Sequence, residues 1–161
     1  PRLFADRTVS APRAFDLLLA QPTIDPDAAN AADETALMLT AIAGDVDASR
    51  KLLAHGAKAQ RPGWSPIHYA ASGPSTEMAK LLLDSGASAD AESPNGTTPL
   101  MMAAHYGTPA AVKVLLEAGA DPMLKNQLGL TALDFAHRAN RQDAADLIAA
   151  FVRARQPKAT W

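Results

Sequence analysis

The side chains able to do chemistry are few, and their spacing gives them little to do it with. There are four histidines, His55, His68, His105 and His137, and no cysteine. No two of them stand four apart around a glutamate, the helical arrangement with which zinc proteases hold both metal and base. His105 and His137 fall at different positions of their local pattern, so they are not expected to share a metal. The glycines stand singly and make no phosphate-cradling loop. Ser72-Gly73 lacks the strand, elbow and helix that would expose a hydrolase nucleophile. Aspartates and glutamates are scattered without a converging pair, and a chain without cysteine has no thiolate catalysis, disulfide or cysteine metal site. No catalytic residue, cofactor-binding residue or metal ligand is implied, and no cofactor is expected.

The elements that would have to position any site are clearest over residues 98–121, TPLMMAAHYGTPAAVKVLLEAGAD. Thr98 can cap a helix with its hydroxyl, and Pro99 suits the first helical position, where its missing N–H would be unpaired anyway. Leu100, Ala103 and Ala104 then fall on one apolar stripe. Gly107 stops that helix. Pro109 starts a second, with Val112, Leu115 and Leu116 as its stripe, and Gly119 ends it in the left-handed conformation. Two such short helices bury too little alone to offset their ordering entropy, so the unit needs neighbours.

Those neighbours recur along the chain. Capping residues Ser65, Thr98 and Thr131 are thirty-three residues apart, and Thr35 precedes Ser65 by thirty. Either Asp33 or Thr35 would cap the earliest of these. From cap to terminal glycine the distance is twenty-one residues three times, at 35 to 56, 65 to 86 and 98 to 119. A period near 33 with two helices and a turn marks a repeat architecture whose units stack to share one core.

On these residues the chain resembles the ankyrin repeat family over nearly all its length. Thr98-Pro99-Leu100 and Ser65-Pro66-Ile67-His68 fit its helix-opening motif. Leu52-Leu53, Leu82-Leu83 and Leu115-Leu116, each shortly before Gly-Ala, fit the end of its second helix, and Gly119-Ala120-Asp121-Pro122 resembles its run into the hairpin. The resemblance implies an all-α repeat solenoid: stacked helix-turn-helix repeats joined by short β-hairpin-like fingers, curving to the right with a concave face. It also implies that His68 bonds to neighbouring backbone, and that a protein partner is recognised through fingers and concave face.

The repeats divide a single domain into five units. Residues 1–34 form a degenerate first repeat, in which Pro12 to Leu19 matches Pro109 to Leu116 and residues 23–30 make the following finger. A weak first helix within residues 2–9 would turn Leu3, Phe4 and Val9 inward. Residues 35–64 follow, with a finger three residues short that should leave Trp64 partly uncovered and Pro62-Gly63 at its turn. Residues 65–97 and 98–130 are the most regular, with Asn95-Gly96 and Gly129 at the fingertips. Residues 131–161 close the stack with a longer helix over 143–155, turning Leu147, Ile148 and Phe151 inward and Arg141, Asp146, Arg153 and Arg155 outward. Beyond Pro157 a loose tail with Trp161 uncommitted is expected. Atypical end units are what a solenoid requires, since each has one face without a neighbour.

Composition bounds the rest. A formal charge of −2 over 161 residues favours neither nucleic acid nor an anionic membrane. No apolar run reaches the roughly 18 residues of a bilayer span. The chain opens at Pro1 with neither methionine nor a signal-peptide pattern, which leaves room for a segment removed upstream. Compartment stays open: cytoplasmic by default, periplasmic or secreted if a signal has been removed. A monomer is expected. Usage rich in alanine and arginine points to a GC-rich bacterial source.

The repeat also fixes which positions the fold does not need for its core. Those just before each cap are Glu34, Trp64, Thr97 and Leu130, on the fingers. Seven and eight after each cap come Ile42 and Ala43, Ser72 and Gly73, His105 and Tyr106, and Arg138 and Ala139, on the open side of the first helices. The fingertips add Arg61, Asn95, Gln127 and Leu128. Trp64, His105, Tyr106, Leu128, Leu130 and Arg138 should therefore share one side, and Trp, Tyr and Arg are the types that dominate interface energetics. A second candidate is a mild excess of cations after His137, read as a solvated cap or, less well, as a surface for an acidic partner. The expected function is a non-enzymatic scaffold for protein–protein interaction. The alternatives are a small enzyme or ligand-binding domain with a pocket in the end repeats, and a structural fragment of a larger protein.

Overall fold

The computed structural model describes residues 11–156. The expectations for Leu3, Phe4, Val9 and the tail beyond Pro157 with Trp161 lie outside them. Nine helices make up the described chain: α1 (Ala11–Leu19), α2 (Ala36–Ala43), α3 (Val46–Ala54), α4 (Pro66–Ser72), α5 (Thr76–Asp84), α6 (Pro99–Tyr106), α7 (Pro109–Glu117), α8 (Ala132–Arg138) and α9 (Gln142–Arg155). The even-numbered helices α2, α4, α6 and α8 stack as one layer, each packed on the next, and α3, α5, α7 and α9 form a second. This is the expected all-helical repeat solenoid.

Each inner helix begins in the same way. Thr35, Thr98 and Thr131 accept the backbone N–H three residues on with their hydroxyls, so Thr35, not Asp33, caps α2. The residue at that third position reaches back to the capping N–H: Met38 Sδ at 3.2 Å, His68 Nδ1 at 3.1 Å, Met101 Sδ at 3.4 Å and Asp134 Oδ2 at 2.8 Å. Thioether, imidazole and carboxylate thus satisfy the same orphan donor in four repeats. Ser65 differs in that its hydroxyl donates to the Ala59 carbonyl, 3.4 Å away.

The core is one continuous cluster running through all the repeats. Leu52, Leu82 and Leu115 are buried at equivalent places in the outer helices, and Leu53, Leu83 and Leu116 pack beside them. Alanines fill the seams between inner helices, with Ala41, Ala70, Ala71, Ala103, Ala104 and Ala136 all inaccessible. Small side chains there let the helices stack closely while each apolar residue still leaves water. At the C-terminal end Ile148 is buried and Leu147 and Phe151 pack against the core, as the stripe of α9 predicts. Arg141 is half-buried instead of outward, because it turns back to pair with Asp143 at 3.2 Å.

Two kinds of glycine set the geometry. Gly119, at φ 96°, takes the left-handed turn that follows α7. Gly107 and Gly73 instead make room: a Cβ on Gly73 would stand 2.8 Å from the Ile42 carbonyl oxygen, and one on Gly107 would collide with that of Ala71. Gly73, placed by the repeat count on the open side, is therefore buried against the preceding unit.

The fingers are turns, not strand ladders. Three are closed by two backbone bonds each: the N–H groups of Asn30, Ser93 and Asn126 donate to the carbonyls of Glu34, Thr97 and Leu130, and those of Asp33, Gly96 and Gly129 donate back to Asn30, Ser93 and Asn126; among the described residues a single isolated bridge joins Ala29 and Thr35. The first finger thus turns at residues 30–34, a few positions later than the expected 23–30. In the short second finger no such bond closes the turn, and residues 62–64 bend around Gly63. Side chains bracket successive units: Asp27, Gln60 and Asp90 accept the N–H of Lys58, Ser88 and Asp121 at 2.8, 3.0 and 2.9 Å.

Candidate functional site

The residues expected to share a side do so. A groove of about 360 Å³ beside α6 and α8 is lined by Trp64, Asn95, His105, Tyr106, Leu128, Leu130 and Arg138, together with Phe135, Met102 and Asn126. It adjoins a second hollow of about 240 Å³ bounded by Ile42, Trp64, Tyr69, Ser72 and Met102, so Trp64 and Met102 belong to both. Together they run along the inner layer from α2 to α8.

Tyr69, Met102 and Phe135 line the two hollows from a repeat position that was expected on no surface. Four residues after each cap stand Leu39, Tyr69, Met102 and Phe135, all large and all incompletely buried. They pass for core in an apolar helix, yet the repeat count could have found them, since all four copies carry a bulky residue at that place. Above them His105 packs on Tyr106 with ring centroids 4.1 Å apart and meets Phe135 edge-on at 6.1 Å. Trp64 stands edge-on to His68 at 5.2 Å. Trp64 remains 36% exposed, Tyr106 61% and Leu128 76%, so these apolar groups meet solvent in a folded chain whose core does not use them.

His68 is structural. Its Nδ1 accepts the Ser65 N–H, and Nε2 lies 3.0 Å from the carbonyl oxygens of Ala91 and Thr97. Burial holds its pKa below the ordinary imidazole value. The imidazole therefore pins the start of α4 to the following finger. This bond explains why Thr97, expected on the open finger surface, is only 3% exposed. Its carbonyl is engaged by His68, and its N–H by Ser93 Oγ at 3.0 Å.

Two predicted site residues stand apart from the groove. Arg61 turns back from the short finger and grips Asp33, both carboxylate oxygens lying 3.0 Å from Nη2 and the backbone carbonyl 2.9 Å from Nη1. It lines a separate hollow with Thr35, Lys58 and Gln60. Gln127 stays at its fingertip, where its amide donates to the Pro94 carbonyl at 3.0 Å and locks two fingers together. At the C-terminal cap, Arg155 lies over the Phe151 ring at 4.1 Å and Arg141 holds Asp143, whose pKa is lowered chiefly by that hydrogen bond. Two of the excess cations are thus engaged within the cap.

Among the described residues no group of His, Cys, Asp or Glu is placed to hold a metal ion, and no helix is long and apolar enough to cross a membrane. The described chain is thus a helical repeat array with an apolar groove across its inner helices.

The chain belongs to the ankyrin repeat family: the family "Ankyrin repeats (3 copies)" matches residues 8–93 and 73–156. Among its relatives, Neurogenic locus notch homolog protein 1 of Xenopus tropicalis is 34% identical over 119 residues, covering 71% of this chain and 5% of that protein. The human Neurogenic locus notch homolog protein 4 is 40% identical over 92 residues, covering 55% and 5%. An Ankyrin repeat and LEM domain-containing protein 1 homolog of Caenorhabditis elegans is 39% identical over 79 residues, covering 47% and 11%. The chain therefore spans only a small part of the length of these proteins. All three are animal proteins, so they lend no support to the bacterial source suggested by composition. Ankyrin repeats are generally protein-interaction modules, and the family is generally non-enzymatic.

Proposed function

We propose that this chain binds a protein partner along the groove over α2, α4, α6 and α8. The observation that carries the reading is the continuity of two hollows through Trp64 and Met102, with exposed Tyr106 and Leu128 at the rim. Contiguous exposed apolar surface is rarer than scattered single residues and marks interaction sites. Aromatic side chains seated in a groove supply large contact area at small entropic cost. Arg61 and Gln127, first grouped with this surface, act instead in holding fingers in place.

The test compares capture by wild type and by the Trp64→Ala/Tyr106→Ala double variant from native lysate, with bound proteins identified by mass spectrometry. Both residues lie outside the core, so melting should stay within a degree or two while a specific partner is lost. A partner retained by the double variant would move the binding face elsewhere.

A further inference from the structure

The groove carries its basic groups at one end and is apolar along the rest. At the α6–α8 end the basic groups that line it are His105 and Arg138, and no carboxylate lines that hollow. Arg50, Arg61 and Arg141 each pair with a carboxylate, but Arg138 forms no ion pair among the described residues. The acid one turn before it on α8, Asp134, is committed elsewhere: it accepts the N–H and the hydroxyl of Thr131, both at 2.8 Å. Those two bonds hold Asp134 at the start of α8, so that its charge reaches Arg138 only through space and no ion pair joins the two. Beyond the other hollow, behind Tyr69, stands a carboxylate that lines neither hollow. Glu34 takes bonds from the Tyr69 hydroxyl at 3.2 Å and the Asn30 amide at 3.0 Å, with no cation in ion-pair contact among the described residues. Between them the surface of Ile42, Trp64 and Met102 is apolar.

We propose that the groove takes an apolar segment of a partner protein that carries an Asp or Glu side chain at the end seated against Arg138. The inference rests on the groove being the binding face. Four stacked inner helices at about 8–10 Å spacing give the groove a length of roughly 24–30 Å. An extended segment of about eight residues, at about 3.3 Å each, would span it. Charge at that end would fix the direction of binding, since complementary potentials set register more than they set affinity.

The test selects a phage-displayed random dodecapeptide library in parallel on wild type, Arg138→Glu and Trp64→Ala/Tyr106→Ala. Arg138 is exposed, and equal melting of all three would establish that each is folded. Wild type should enrich clones that join aromatic or aliphatic residues to an acid near one end. Those peptides should lose about tenfold in affinity for Arg138→Glu and regain it when their acid is changed to Lys. Clones that need Trp64 and Tyr106 but show no acidic preference, or bind Arg138→Glu equally, overturn the charge assignment and leave the groove standing. Clones that bind the double variant as well as wild type, or no enrichment at all, overturn both.

Discussion

Gly107 lies so close beneath Ala71 that no side chain can be built on it without displacing the Ala71 carbonyl. The contact joins the end of one inner helix to the end of the preceding one and sets how closely the two repeats stack. Gly119 has no such neighbour and is needed only for its φ of 96°. Gly107→Ala should therefore destabilise by more than about 3 kcal/mol, against about 1 kcal/mol for Gly119→Ala. Urea unfolding of the two variants checks the order, and equal losses would contradict the steric account.

Protonation of His68 should weaken the fold. Burial lowers its pKa from 6.5, so as pH falls the unfolded chain binds the proton first. Stability is then fully present above pH 6.5 and declines below it. The proton would also remove the lone pair with which Nδ1 accepts the Ser65 N–H. Urea midpoints measured from about pH 7.5 to about 5 should fall, and His68→Gln should flatten the curve over this range. A level wild-type profile would contradict the prediction.

Arg61→Ala should cost about 1 kcal/mol and leave partner binding unaltered, because its bonds run to Asp33 and not into the groove. Thermal melting beside a binding titration separates the two effects. A loss of affinity at unchanged melting would return Arg61 to the binding face.

Asp90→Ala should cost about 1 kcal/mol by removing the acceptor of the Asp121 N–H across two repeats. Hydrogen exchange at the Asp121 amide gives the more direct reading. Its protection should fall while amides within α4 keep theirs.

Much of this was legible in the chain because each repeat restates the same local physics. Thr98 caps a helix through its own hydroxyl, and the recurrence of a capping hydroxyl at Ser65 and Thr131 fixed where equivalent residues face. The grouping of Trp64, His105, Tyr106, Leu130 and Arg138 followed from counting alone. Counting failed where contacts cross from one repeat to the next. Thr97 has a solvent-facing position but is buried by His68, which lies twenty-nine residues earlier. Arg61 has a fingertip position, yet the shortened finger lets its long side chain fold back to Asp33. Tyr69, Met102 and Phe135 escaped notice for another reason: apolar side chains within an apolar helix carry no sign of which layer they leave uncovered.

The bracket of Asp27, Gln60 and Asp90 onto the next unit's N–H, like the stacking of α2, α4, α6 and α8, ties mainly consecutive repeats. Among the described residues, cohesion of this kind is handed down a line from one unit to the next. A tug on either terminus would accordingly be met by its nearest unit alone, and the array would peel inward from that side before its middle felt any load.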